Sequence, residues 1–311
     1  MSTTTPDQAL EPAAAATAPP LRTRTFYWSL RRELWENRSI YLAPLITSGV
    51  VLLGLLIGVV NVPRHVVVEG TMAIDSSQRA MAVQIPFDAA AAVILVAAMV
   101  TGFFYCLGAL YGERRDRTIL FWKSLPVSDL TTVAAKATVP MVVLPIATYL
   151  VIIATHLVLL AASVPIMAAN GFPAFLFWQE LPLLRTWGVL ALVLACLSLW
   201  YAPIWGWAFV ISGWAKRVTF LWAVGPPLGL VVFEALAFHT HHVNDILHDR
   251  IAGGLDHLFA TKLDVRGRVT ANLDQLDVGR FFSTPGLWIG LIVAAAFFAI
   301  VVWQRRYRAP F

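Results

Sequence analysis

Six long apolar stretches, separated by shorter polar segments, dominate the sequence. A helix that crosses the hydrocarbon core of a membrane needs roughly 20 mostly apolar residues. Charge-free stretches of this kind run over 39–63, 89–112, 137–179, 186–215, 218–233 and 281–304, and the fifth continues past Glu234 to residue 238. The third can hold a span that ends near Ser163 and a following turn. The pattern predicts an all-α integral membrane protein with six transmembrane helices.

The polar segments predict the rest of the organisation. Residues 1–25 are rich in alanine, threonine and proline and predict a disordered cytoplasmic tail. Over 26–41, aromatic and basic residues occupy opposite faces of a helical pattern, which favours an interfacial helix; the alternative is an extension of the first span. Spans 1–5 fill 42–238, an extracytoplasmic segment covers 239–283, and the sixth span (284–303) precedes a cytoplasmic tail (304–311).

Composition and charge agree with this picture. The chain of 311 residues is 59% hydrophobic and only 13% charged, which excludes the water-soluble classes. Of its 23 Lys and Arg residues, fifteen fall on the side of the two termini and eight on the other, so both termini are predicted to be cytoplasmic. The net charge of +5 follows from this asymmetry and gives no indication of nucleic-acid binding. Cys106 and Cys196 lie inside predicted spans and are interpreted as packing residues.

Two groups of residues are candidates for a functional site, one inside the membrane and one outside it. Glu234 is the acidic residue deep in an apolar stretch, and Pro203 and Pro226 interrupt the neighbouring spans, so these three are candidates for a substrate path; static packing is the alternative. Residues 243–259 have apolar side chains on one helical face, which predicts an amphipathic helix on the outer membrane surface. On its polar side, His241, His242 and Asp245 have the spacing of metal ligands, although a solvated face is the simpler interpretation and no metal is expected.

The sequence lacks the motifs of catalysis that bind phosphate or carry a nucleophile. It has no GxxxxGK[ST] phosphate loop, no GxSxG elbow and no dinucleotide fingerprint. The chain is therefore not expected to be an enzyme or to hold a cofactor. Any energy for transport would come from an ion gradient or a separate subunit.

The segment 112–130, GERRDRTILFWKSLPVSDL, is more elaborate than a connection between two spans requires. A charged run precedes a short apolar group, and Ser128 and Asp129 are placed to cap the next helix. Apolar residues rimmed by charges are typical of a protein contact or of an interfacial anchor. The candidate partner-binding residues are Glu113, Arg117, Thr118, Leu120, Phe121, Trp122, Lys123 and Leu125.

This segment resembles the loop after the second span in permease subunits of bacterial ABC type-2 exporters. Their pattern is E-x-G-T-x-x-x-L-x-x-x-P-[VI]-[ST]; Glu113, Thr118 and Leu120 match it loosely, as do Ser124, Pro126, Val127 and Ser128, while Arg117 replaces the glycine. The resemblance implies a cytoplasmic coupling helix over residues 117–125 that binds a separate ATP-binding subunit.

The same resemblance implies the assembly. Two ATP-binding subunits, which carry ATP and Mg²⁺, would join two permeases, expected to be a homodimer, in the bacterial inner membrane, with membrane lipid around them. Two alternatives stay open: a gradient-driven transporter or channel that uses Glu234 and His156, and a membrane metal-handling protein that uses the residue 239–249 cluster.

Overall fold

The computed structural model describes residues 25–61, 76–118, 127–169, 181–259 and 276–307, and these form helices with short connections. No strand is present in this part of the chain. A single antiparallel bridge joins Phe259 to Leu276. The helices are α1 (Thr25–Glu36), α2 (Ser39–Asn61), α3 (Ser76–Ala109), α4 (Tyr111–Arg115), α5 (Asp129–Thr138), α6 (Leu144–Ala169), α7 (Leu183–Trp200), α8 (Ala202–Trp214), α9 (Thr219–Ala237), α10 (His242–Leu258), α11 (Val278–Ser283) and α12 (Pro285–Tyr307), and a π-helical turn, Val139–Val143, joins α5 to α6.

Six helical segments of the described chain are long and apolar enough to cross a membrane, which confirms the predicted number of spans. They are Ser39–Ile57, Gln84–Arg115, Asp129–Pro165, Leu183–Trp200, Thr219–Ala237 and Pro285–Tyr307. The third begins eight residues before the predicted stretch, because α5 continues through the π-helical turn into α6. The protein is therefore a multi-pass membrane protein.

The predicted fourth span consists of two helices that meet at Tyr201. Pro203 lies in the first turn of α8, where its missing N–H costs least. Nine of the thirteen residues of α8 are buried, so this short helix forms the centre of the bundle, between α3 and α12. Gly206 allows the close approach to α12, since a Cβ there would lie 2.9 Å from Phe297 Cβ.

Helix α10 packs against the junction of α7 and α8. Its buried residues are Gly253, Gly254 and Leu258, whereas Ile246 and Ile251 of the predicted apolar face are exposed. The Trp200 indole donates to the carbonyl of Arg250 (3.1 Å), and the Arg250 guanidinium lies 4.4 Å from the centre of the Trp200 ring. The helix predicted from the sequence is thus present, and its contact with the bundle combines the two glycines with the C-terminal part of the predicted face, where Leu258 is buried and Leu255 and Phe259 pack beside it. Residues 260–275 of the predicted extracytoplasmic segment lie outside the described residues.

A buried ion network as the candidate functional site

The ends of four helices bring charged side chains together at one end of the bundle. Four of them are buried, whereas Arg32 and Asp129 are 20% and 29% exposed at the edge of the cluster. We call this set, three carboxylates and three cations, the ion network. Its members are Arg32, Glu33, Glu113, Asp129, Lys136 and Arg305.

Lys136 of α5 links the two most buried carboxylates. Its Nζ lies 2.7 Å from Glu33 Oε1 and 3.1 Å from Glu113 Oε1. Lys136 and Glu33 are 2% and 1% exposed, so neither charge has solvent to stabilise it. A buried charge that loses its partner is strongly destabilising, and each of these residues therefore depends on the others.

Arg305 connects the last span to the same cluster. Its Nη1 donates to Glu113 Oε2 (2.6 Å) and its Nε donates to Asp129 Oδ1 (3.0 Å). Glu113 thus accepts from a lysine on one oxygen and an arginine on the other. Glu113 lies at the end of the second span, Asp129 at the start of the third and Arg305 at the end of the sixth, so the arginine links the ends of three spans.

Helix α1 enters the network through Arg32 and Glu33. Arg32 Nη2 lies 2.9 Å from Glu33 Oε1 and 3.0 Å from Glu113 Oε1. The hydroxyl of Tyr105 donates to Glu33 Oε2 (3.1 Å) and lies 3.5 Å from the carbonyl oxygen of Lys136. In a regular α-helix that carbonyl would accept from the residue four positions later, but this residue is Pro140, which has no N–H. At the rim, desolvation raises the pKa of Glu36, although Arg32 opposes the shift.

Polar contacts fix the short helices that present these charges. Ser212 Oγ accepts from the N–H groups of Leu110 and Tyr111, both at 3.0 Å, at the start of α4. Arg114 donates to the carbonyl of Gly213, near the end of α8. Ser128 caps α5 by accepting from Thr131 N, which confirms the cap predicted from the sequence. Hydrogen bonds between α4 and the buried helix α8 therefore connect the network to the core.

The predicted coupling segment begins and ends beside this network. Leu120, Phe121, Trp122, Lys123 and Leu125 lie outside the described residues. Glu113 is in the network, and the Thr118 hydroxyl donates to the carbonyl of Glu113 (3.4 Å). Arg117, which stands where the resembled pattern has glycine, is exposed and has φ 57°, the left-handed conformation that glycine adopts without strain.

The candidate substrate-path residues occupy separate environments. Glu234 accepts hydrogen bonds from the Thr240 hydroxyl (2.7 Å) and from the N–H groups of His242 (2.8 Å) and Val243 (2.7 Å), so its carboxylate caps the start of α10. Pro203 is buried at the start of α8, and Pro226 is exposed on α9. Their proposed place on a substrate path stays a prediction.

The histidines named from the sequence are not grouped as metal ligands in the described residues. His156 is 1% exposed; its Nδ1 accepts from the Trp187 indole (3.2 Å), which leaves Nε2 to donate to the carbonyl of Phe87 (3.1 Å). His242 approaches Glu234, while His241 and Asp245 are exposed. Within the described ranges, no three His, Cys, Asp or Glu residues are grouped so that they could hold a metal ion.

In comparisons with family models, curated proteins and solved structures, nothing matches this chain.

Sequence reasoning singled out Glu113 and missed the network around it. Lys136 and Arg305 were used only to predict the orientation in the membrane. Asp129 was interpreted as a capping residue, and Arg32 as part of the polar face of a helix. The one available signal was position: Lys136 and Arg305 border apolar stretches, as Glu113 does, on the same predicted side of the membrane.

Proposed function

We propose that this chain is the membrane-spanning permease subunit of an ATP-driven ABC exporter, and that it couples to a separate ATP-binding subunit through the loop 112–130. Two permease copies and two ATP-binding subunits form the transporter in a bacterial inner membrane, with both termini cytoplasmic. ATP and Mg²⁺ belong to the partner subunit.

One observation carries the proposal beyond the resemblance: the ion network holds the chain on both sides of the predicted coupling helix. Glu113 lies before the segment 117–125, and Asp129 and Lys136 lie after it. A connection between two spans needs no such anchor. A segment that receives force from a partner does, because a soft attachment would absorb the displacement instead of moving the helices.

The network also gives the displacement a route. A push on the loop reaches α1, α4, α5 and α12 together, since Glu113 of α4 binds cations from the other three helices. Buried ion pairs have strict geometry, so the four helix ends move as a unit or the pairs break. The contacts of Glu234 and His156, by contrast, are those of a helix cap and a packing residue, which gives a gradient-driven mechanism no support.

The first experiment is affinity purification of the tagged chain from its native membrane in mild detergent, followed by mass spectrometry of the proteins that accompany it. We expect an ATPase with a phosphate loop, in a ratio near one to one. A chain that purifies alone, even after crosslinking at Lys123, would contradict the proposal.

Substitution of the apolar residues in the loop tests the coupling itself. Phe121→Asp or Trp122→Asp is expected to abolish the stimulation of ATP hydrolysis by the permease, while the chain still inserts and folds, because a carboxylate would be desolvated in the partner's cleft. Val218→Asp is the matched control: Val218 is an exposed apolar residue (63%) in the turn between α8 and α9, at the same end of the bundle. Coupling that survives in both loop variants would show that this segment is not the coupling helix.

A further inference from the structure

Helix α1 carries an arginine between two exposed tryptophan rings. The Arg31 guanidinium lies 4.7 Å from the centre of the Trp35 ring and 5.3 Å from that of Trp28. Both indoles are more than half exposed, at 68% and 57%. Tyr27, at 51% exposed, packs edge-on against Trp28 and widens the same aromatic surface.

The guanidinium has unused hydrogen-bond donors. Its aromatic contacts are with the faces of the rings, and among the described ion pairs, in which Arg32 and Arg305 both take part, Arg31 forms none. An arginine held between two rings has lost part of its side-chain freedom but keeps its N–H donors in the plane of the guanidinium. It is therefore preorganised for a planar contact with an anion.

Chain connectivity sets the depth of this surface. Helix α1 ends at Glu36, and the first membrane span begins at Ser39, so α1 lies at the level where the hydrocarbon core begins. Tryptophan and tyrosine are enriched at this level, and arginine there meets lipid phosphates. A surface of two indoles, a phenol and one unpaired guanidinium matches a phospholipid headgroup in chemistry and depth.

We propose that Tyr27, Trp28, Arg31 and Trp35 form a binding surface for the headgroup of an anionic phospholipid in the adjoining leaflet, with Arg31 as the phosphate ligand. The opposite side of the same helix carries Glu33, which is sealed in the ion network. One rigid helix of twelve residues thus contacts lipid on one side and the network on the other. The proposal does not depend on the exporter function.

The test uses the full-length chain in detergent micelles that contain equal amounts of phosphatidylglycerol and phosphatidylcholine, with retained lipid counted by native mass spectrometry. We expect preferential retention of phosphatidylglycerol. Arg31→Gln should lower that retention about fivefold, which corresponds to the roughly 1 kcal/mol that one basic side chain contributes at an anionic surface. Arg31→Lys should recover only part of it, because an ammonium does not stack as a guanidinium does.

Arg115→Gln is the matched control. Arg115 likewise lies over an aromatic ring, 5.8 Å from the centre of Tyr111, but Asp116 neutralises it at 2.9 Å. Retention of phosphatidylglycerol should be unchanged in this variant. Equal retention of the two lipids by the native chain, or an equal loss in the Arg31 and Arg115 variants, would overturn the proposal. If a protein partner covers Trp28 and Trp35 instead of lipid, the surface belongs to that partner and the proposal is wrong as well.

Discussion

Glu33 and Lys136 show how completely a buried charge depends on its neighbours. Their side chains are 2% and 3% exposed, and they are 2.7 Å apart. Lys136→Met should lower the free energy of unfolding by about 3–5 kcal/mol, because two carboxylates then share too few cations in a site without water. The loss is measured as a fall in the thermal midpoint of the detergent-solubilised chain.

The double variant Glu33→Gln and Lys136→Met separates charge imbalance from loss of packing. It should recover a large part of the lost stability, since the acid and its partner leave together. The exposed pair of Arg115 and Asp116 provides the control, because Arg115→Gln is expected to leave the thermal midpoint nearly unchanged. A double variant no more stable than the single one would show that the unpaired charge of Glu33 is not the cause of the loss.

At the scale of the element, the glycines of α10 explain why this helix could be predicted and its contact could not. Apolar periodicity identified a helix and a face of which Leu258 is buried, whereas Ile246 and Ile251 are exposed. The contact also uses Gly254, where a Cβ would lie 2.8 Å from Trp200 Cδ1 and 3.0 Å from Leu197 Cδ2. Close approach at a small residue leaves no hydrophobic signal in the sequence.

Gly254→Ala tests that approach directly. Although alanine favours a helix by about 1 kcal/mol, the buried Trp200 must shift, so a net destabilisation of about 1 kcal/mol or more is expected. Hydrogen exchange should show the amides of α10 opening more readily. Gly286→Ala is the control, because its added Cβ would lie 3.7 Å from its nearest neighbours, Thr284 and Trp200. Protection of α10 that is unchanged in Gly254→Ala would mean that the helix is not held at this junction.

Sequence separation explains which parts of the candidate site were predictable. The six spans follow from local composition, and the Ser128 cap follows from residues three apart. The ion network depends on pairs such as Glu33 with Lys136 and Glu113 with Arg305, which are 103 and 192 residues apart. A single sequence indicates that these charges border apolar stretches, but it does not indicate which of them meet.

The orientation of the whole molecule decides whether the ion network can meet a cytoplasmic partner, and the two native cysteines make this testable. Cys106 and Cys196 are buried, so they give little background with a membrane-impermeant maleimide. His248→Cys on α10 should be labelled in spheroplasts, whereas Lys216→Cys, at the end of the bundle that carries the network, should be labelled only after permeabilisation. Both positions are exposed. The opposite pattern would place the network outside the cell, where no ATP-binding subunit could reach the loop, and would contradict the exporter proposal while leaving the fold intact.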